Sequence, residues 1–281
     1  MDVSQSGPNA MGEPTKISIK DAERTIDLIN VAPRFTPHDA IRLNNMFRGK
    51  DTSEMMQEVI KGHLAGDMAV VSSFGTESVV LLHLIASIDP SVPVLFLDTG
   101  KHFPETLEYR DQIAKQLGLT NLINLYPDGT QLEQKDETGL RWSYDPDGCC
   151  EIRKVKPLEK ALDGYDASIT GRKGFQSATR SGIQRFELDG DRLKINPLAS
   201  WDKDKIAAYF EEFDLPHHPL ESEGYPSIGC APCTSKVAQG EDPRSGRWKG
   251  WDKTECGIHE DVMPIPSANE DDDDGANDPV F

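Results

Sequence analysis

Met68-Ala69-Val70-Val71-Ser72-Ser73-Phe74-Gly75-Thr76-Glu77-Ser78 passes from four apolar residues into a polar, glycine-containing turn, and the apolar series Val79, Val80, Leu81, Leu82, Leu84 and Ile85 follows at once. The pattern reads as strand, loop, helix. A short apolar run bounded by turn residues suits a buried strand. The unit then recurs. Pro93-Val94-Leu95-Phe96-Leu97 opens with proline at a position a strand tolerates, and ends in Asp98-Thr99-Gly100. Pro104 then starts a helix that carries Leu107, Tyr109, Ile113 and Leu117. Leu122–Tyr126 is a third strand and Asp166–Gly171 a fourth, with a helix predicted over 149–163 between them. Strand alternating with helix predicts parallel βαβ units, hence an α/β fold with a parallel twisted sheet flanked by helices. Upstream, a short helix is predicted over 38–48. A second opens at Asp51, with Glu54 spaced for a capping box, and stops at Gly66. Downstream, residues 182–197 read as a hairpin about Asp189-Gly190, and Trp201 to Phe213 as a helix with Asp202 at its start.

Ligands of open α/β sheets bind beyond the carboxyl ends of the strands. Three such ends carry polar loops here: Ser72–Ser78, Asp98–Lys101 and Gly171–Arg180. They are expected to share one site. The first offers hydroxyls and backbone N–H groups at a helix N-terminus, an arrangement that binds anions and equally serves as an ordinary turn with Thr76 as cap. It lacks the Gly-Lys-Ser/Thr ending of a Walker loop. Asp98 at a strand end can hold a ribose or base, or cap the next helix. The third loop is basic, through Arg172, Lys173 and Arg180, and Pro243-Arg244-Ser245-Gly246-Arg247-Trp248 is a second basic cluster. Arginine forks suit phosphate or sulfate. Two such clusters in an acidic chain point to an anionic ligand, although either one alone reads as a solvated loop.

Five cysteines remain to be explained. Cys149-Cys150 and Cys230-Ala231-Pro232-Cys233 form two close pairs, and Cys256 stands alone in Lys253-Thr254-Glu255-Cys256-Gly257-Ile258-His259. Adjacent cysteines rarely close a relaxed disulfide. Four thiolates suit tetrahedral zinc or a [4Fe–4S] cluster, and spacing does not choose between them. A thioredoxin-type redox pair at Cys230 and Cys233 is the competing reading, without the sequence context of that fold. Cys256 has Lys253 and His259 within sequence reach, which would lower its pKa, and Glu255, which opposes them. It is either a nucleophile or a spare exposed thiol. Paired His217-His218 between prolines reads as a rigid turn, and His63 and His83 as packing or surface residues.

The chain has 281 residues, 37% of them hydrophobic, and a net charge of −18. It is long enough for one sizeable α/β domain. The charge argues against nucleic acid as a partner. No apolar run approaches the roughly 18 residues of a membrane span, and the N-terminus has no signal-peptide pattern. A cytoplasmic protein is expected, and there cysteine pairs are metal ligands or redox groups more often than disulfides. Composition divides the chain into a polar extension over 1–37, the α/β domain over 38–248, a segment over 249–262 that carries Cys256, and an acidic tail over 263–281 that contains Glu270 and Asp271–Asp274.

Taken together these motifs resemble the assimilatory sulfonucleotide reductases, in particular the iron–sulfur adenylyl-sulfate (APS) reductases. The likeness spans about residues 50–260. It is carried by Ser73-Phe74-Gly75, Leu97-Asp98-Thr99-Gly100, Cys149-Cys150 with Arg153-Lys154, Gln176-Ser177 with Arg180, Tyr225 through Thr234, Gly246-Arg247-Trp248, and Lys253 through His259. The resemblance implies an adenine nucleotide α-hydrolase-like (PP-loop) fold. It implies one [4Fe–4S] cluster per chain on Cys149, Cys150, Cys230 and Cys233, with Cys256 as nucleophile. Lys154 is expected between cluster and substrate. Substrate contacts are expected from Ser73, Phe74, Gly75, Asp98, Thr99, Gly100, Arg172, Arg180, Arg244, Arg247 and His259. The implied reaction reduces adenosine 5'-phosphosulfate to sulfite and AMP with thioredoxin, or glutaredoxin, as reductant. The rival readings are a reductase of the 3'-phosphorylated nucleotide (PAPS) or one of dual specificity, a tRNA-thiolating PP-loop enzyme, and a zinc-stabilised nucleotide-binding module. Further copies of the chain in a homo-oligomer are the remaining candidate partner.

Overall fold

The apolar runs become strands at the centre of a single sheet. A computed structural model describes residues 34–176, 182–258 and 262–263. Residues 1–33, Arg180, His259 and the acidic block at 270–274 lie outside these. The strands are β1 (Met68–Val71), β2 (Val94–Leu97), β3 (Leu122–Leu125), β4 (Ala167–Thr170), β5 (Phe186–Asp189), β6 (Arg192–Ile195) and β7 (Val262–Met263). Their order is β3-β2-β1-β4-β6-β5-β7. Neighbours from β3 to β6 run parallel, with Val70 opposite both Val94 and Ile169. The other two strands run antiparallel: β5 against β6 and β7 against β5. The β5–β6 turn falls at the expected Asp189-Gly190, where Gly190 adopts φ +64°, a conformation glycine reaches without steric cost.

Both faces of the sheet are covered, which explains why the parallel strands read as continuous apolar runs rather than alternating ones. Val70, Val94, Phe96 and Ile169 belong to the main core, with the helices Thr52–Lys61, Ser78–Ile88 and Pro104–Gln116. The intervening residues Ala69, Leu95 and Leu97 face a second, smaller core with Leu158 and Leu162, as the two-residue repeat of a strand requires. The helix Ser78–Ile88 buries Val79, Val80, Leu81, Leu82, Leu84 and Ile85. A helix apolar on nearly every side belongs in the interior. Arg34 donates to the Tyr165 carbonyl, and the Phe35 N–H meets the Asp191 carbonyl.

Three local expectations are corrected. Asp51 does cap its helix, but it accepts from Ser53 N rather than from Glu54 N. The reciprocal arrangement lies one helix earlier, where Asp39 accepts from both the N–H and the hydroxyl of Thr36. A helix at Gly129–Lys135, capped by Asp128 on Gln131 N, was not expected. Most consequentially, residues 149–163 are not one regular helix. A short α-helix at Pro146–Cys150 passes into a π turn at Glu151–Val155 and then into an α-helix at Lys156–Leu162. Pro157 supplies no N–H to the turn before it, so a regular α-helical ladder cannot pass through this point. A widened turn is the common accommodation, and such turns gather at functional sites.

Candidate active site

The loop after β1 is folded by its own side chains. Ser72 Oγ accepts from Phe74 N at 3.2 Å. Phe74 takes φ +49° and drives its ring into the core, edge-on to Phe96 at 5.6 Å between ring centres. The chain thereby turns outward at Ser73 and Gly75, and Ser78 N closes onto the Gly75 carbonyl. After β4, Arg172 and Lys173 follow the strand end. Arg172 Nη1 donates to Glu187 Oε2 at 3.0 Å, and the same oxygen accepts from the buried Asn196, whose carbonyl takes the Thr170 hydroxyl. Lys173 is buried and paired with Glu77 at 2.9 Å. The strand ends and the C-terminal loops enclose a cleft of about 790 Å³. Ser73, Gly75, Lys154, Arg172, Arg244, Arg247 and Cys256 all line it. Ser73 and Cys256, 183 residues apart in sequence, are thus brought to one space.

Not every expected contact faces that space. Phe74, Asp98, Thr99 and Gly100 do not line the cleft. Phe74 is spent on the core. Asp98 Oδ1 accepts from Gly100 N, an Asx turn that folds the loop on itself. Thr99 is buried, with its hydroxyl 3.3 Å from Cys230 Sγ and its carbonyl accepting from Arg153 Nη1. The Asp98–Gly100 turn therefore braces the cysteines from behind. Arg180 and His259 lie outside the described residues. Sequence reading missed Glu77, Glu187 and Asp136 as partners of basic residues, because ion pairs between distant segments leave no local signal.

The cysteine pairs meet as well. Cys149, Cys150, Cys230 and Cys233 are free thiols and line one small enclosed cavity, together with Lys101, Trp142, Pro146, Arg153, Lys154 and Trp248. Backbone bonds hold the second pair to the β2 loop: Ala231 N donates to the Lys101 carbonyl at 2.8 Å, and His102 bridges to Cys230. Burial pushes the Cys150 thiol up to about 11, against the pull of Lys154. Burial likewise raises Cys149 and Cys233. Cys230 goes the other way. Its burial works upward, but Lys154, the Thr99 hydroxyl and Arg247 together outweigh it and favour the thiolate. For Lys154, desolvation opposes the charge, yet Cys230, Cys256 and Cys150 hold its ammonium above the ordinary lysine value. Among the described residues no three His, Cys, Asp or Glu side chains close around one point as a single ion would need. The donors instead stand around a cavity.

Lys154 and Trp248 line both the cleft and the cysteine cavity, so they form the wall between them. Trp248 is buried at φ +47°, its N–H bound to the Cys233 carbonyl. The Arg247 guanidinium lies 4.5 Å from the centre of its ring. Arg247 also presses on Gly229, where any Cβ would overlap the guanidinium. Glycine at 229 leaves the space that the guanidinium fills.

Residues 67–236 match the phosphoadenosine phosphosulfate reductase domain. The chain belongs to that family. Within the matched span lie the β1, β2 and β4 loops and all four cavity cysteines, whereas Arg244, Arg247 and Cys256 follow it. A family relative from Chelativorans sp. (strain BNC1), named adenosine 5'-phosphosulfate reductase, is 54% identical over 194 residues, 69% of this chain and 79% of its own. One from Gloeobacter violaceus, named phosphoadenosine 5'-phosphosulfate reductase, is 46% identical over 200 residues, 69% of this chain and 83% of its own. Among solved structures, a phosphate complex of PAPS reductase from Candida auris superposes with TM-score 0.58 at 27% identity, covering 70% of this chain and 96% of that one. Among the described residues no helix is long and apolar enough to cross a membrane.

Proposed function

We propose that this chain reduces adenosine 5'-phosphosulfate to sulfite and AMP, with Cys256 as the nucleophile. The observation that carries the reading is the placement of Cys256 in the cleft that the β1 and β4 loops, Lys154 and Arg247 also line. The adenosine lies over the strand ends, against Ser73 and Gly75. The phosphosulfate faces Lys154, Arg172 and Arg247, whose charges offset its own and the charge that develops on the leaving phosphate. Cys256 as thiolate attacks the sulfur. An S–S bond forms, the S–O bond to the phosphate breaks, and AMP departs with the electron pair. The enzyme is left as S-sulfocysteine. A dithiol protein of the thioredoxin or glutaredoxin class then attacks Cys256 Sγ, sulfite leaves, and its second thiol resolves the mixed disulfide. Two electrons pass from the dithiol to the sulfur, and Cys256 returns as a thiol. The cytoplasm, where thiols stay reduced, is the fitting compartment.

Cys149, Cys150, Cys230 and Cys233 would hold a [4Fe–4S] cluster. The fit rests on the donor set: four free thiols around one cavity, with Lys154 and Arg153 beside them. Four cysteine thiolates are the ligand set such a cluster would take. When bound, the cluster supplies a fixed charge distribution beneath the cleft. Lys154 lies between the two, and Arg153 with Asp136 orders the floor.

The test is anaerobic purification, iron and sulfide analysis, and sulfite release from APS with a thioredoxin system. Sulfite and AMP in equal amounts are expected. No sulfite under these conditions would sink the proposal. The Gloeobacter relative's name makes PAPS the second substrate to assay, and a rate with PAPS above that with APS would transfer the function to that nucleotide.

A further inference from the structure

We infer that Asp147 and Lys253 form a releasable clasp that positions Cys256, a role separate from holding substrate. The inference rests on Cys256 being the nucleophile. Residues 249–258 contain no helix or strand, so side chains must hold them in place. Lys253 does this from a nearly buried position: its side chain is 7% exposed and its ammonium meets Asp147, which is 77% exposed. The Lys253 ammonium also lies over Trp248, with Nζ 5.5 Å from the ring centre. A second hold lies on the next two residues, where Arg244 Nη2 donates to the Thr254 carbonyl at 2.6 Å and to Glu255 Oε2 at 3.2 Å. Beyond Cys256, Ile258 packs into the smaller core with Leu97 and Leu125. Cys256 therefore sits between a polar anchor on one side and an apolar anchor on the other.

The two anchors differ in how they can be undone. Ile258 is held by burial, whereas the Lys253 contact ends on a carboxylate that water and salt can reach, so it is weak and easily exchanged. The proposed chemistry asks for this. Cys256 must face the cleft to attack substrate and then meet the thiol of a bulky protein, and a segment that does both has to open. Asp147 stands in the helix Pro146–Cys150, so the clasp also ties the nucleophile's segment to the element that carries Cys149 and Cys150. Arg244, which lines the cleft, places its Nη2 on the segment.

The test follows Cys256 directly. The full-length, anaerobically purified protein is treated with iodoacetamide, and alkylation of Cys256 is timed by peptide mass spectrometry. Asp147→Asn and Lys253→Met, on two different elements, should each speed Cys256 alkylation about fivefold, and Lys253→Arg should change it by less than about twofold. Salt should accelerate the wild type more than the variants, which keep only the Arg244–Glu255 pair as a salt-sensitive hold. In turnover, the two variants should lower kcat while KM stays near that of the wild type. Equal alkylation rates in wild type and both variants would overturn the clasp, as would an equal gain in Lys253→Arg. Alkylation requires no turnover. Its failure therefore removes the clasp alone, whereas sulfite release by a Cys256→Ser enzyme would remove the catalytic reading alone.

Discussion

The Arg153 guanidinium meets a single oxygen of Asp136 twice, through Nε at 3.1 Å and Nη2 at 2.6 Å, with both side chains almost wholly withdrawn from solvent. The third nitrogen, Nη1, donates to the Thr99 carbonyl, and the other Asp136 oxygen accepts from Arg141 N. One ion pair thus joins three segments around the cysteine cavity. Burial alone would raise the Asp136 carboxyl, but its bonds to Arg153 and Arg141 hold it below the ordinary carboxylate value. Removing one partner strands the other charge in the interior, so Asp136→Asn should cost about 3–5 kcal/mol. Chemical denaturation checks this. The carboxylate's contribution is complete at neutral pH and is lost as pH falls through and below the ordinary carboxylate range.

Cys256→Ser should reduce sulfite release by a factor of roughly 10⁴ or more, because serine offers no comparable nucleophile at neutral pH. AMP should still bind, since the strand-end loops are untouched. Calorimetry with AMP and a sulfite assay on the same preparation separate the two effects. Appreciable turnover by the variant would end the covalent mechanism.

Cys230→Ser removes the thiol that Thr99, Lys154 and Arg247 favour as thiolate. Iron content and visible absorption should fall to background. The melting temperature should drop by about 10 °C, because energy from binding a metal group is also folding energy. A colourless native protein with stoichiometric zinc would contradict the iron–sulfur assignment.

His218 provides a pH dependence remote from the cleft. It is buried, its Nε2 is 3.2 Å from the Thr106 hydroxyl, and its Nδ1 accepts from Leu220 N. Burial pushes its pKa down to about 4, with Glu105 opposing. The unfolded chain, with histidine near 6.5, takes up the proton first, so stability falls as pH drops from 6.5 towards 4. The full effect is about 3 kcal/mol. His218→Asn should flatten the stability curve across that interval. An unchanged slope would show that another group sets it.

Much of this was legible in the chain because it is periodic or local. The apolar runs at Met68, Pro93, Leu122 and Asp166 and their following helices announced parallel units, and the sheet pairs them as such. Asp189-Gly190 announced its turn through the demand for a left-handed residue. The π turn did not show itself, since an apolar pattern persists across it and only Pro157 hinted at a break. Phe74 misled for a different reason. Its position in a ligand-type loop suggests a contact, but backbone geometry turns the ring into the core. Asp136, Glu187 and Asp147 went unread because each pairs with a basic residue from another segment.

The shared wall of Lys154 and Trp248 also separates two kinds of electrostatics. Charges at the cleft mouth act on substrate through water, where ions fade them over about 8–10 Å at ordinary salt. A charge in the cysteine cavity acts through one layer of side chains that mobile ions do not enter. Salt should therefore slow capture of the nucleotide while leaving the influence of the cavity on the bound nucleotide largely intact. The two compartments are neighbours in space but differ in how much of the surrounding medium they feel.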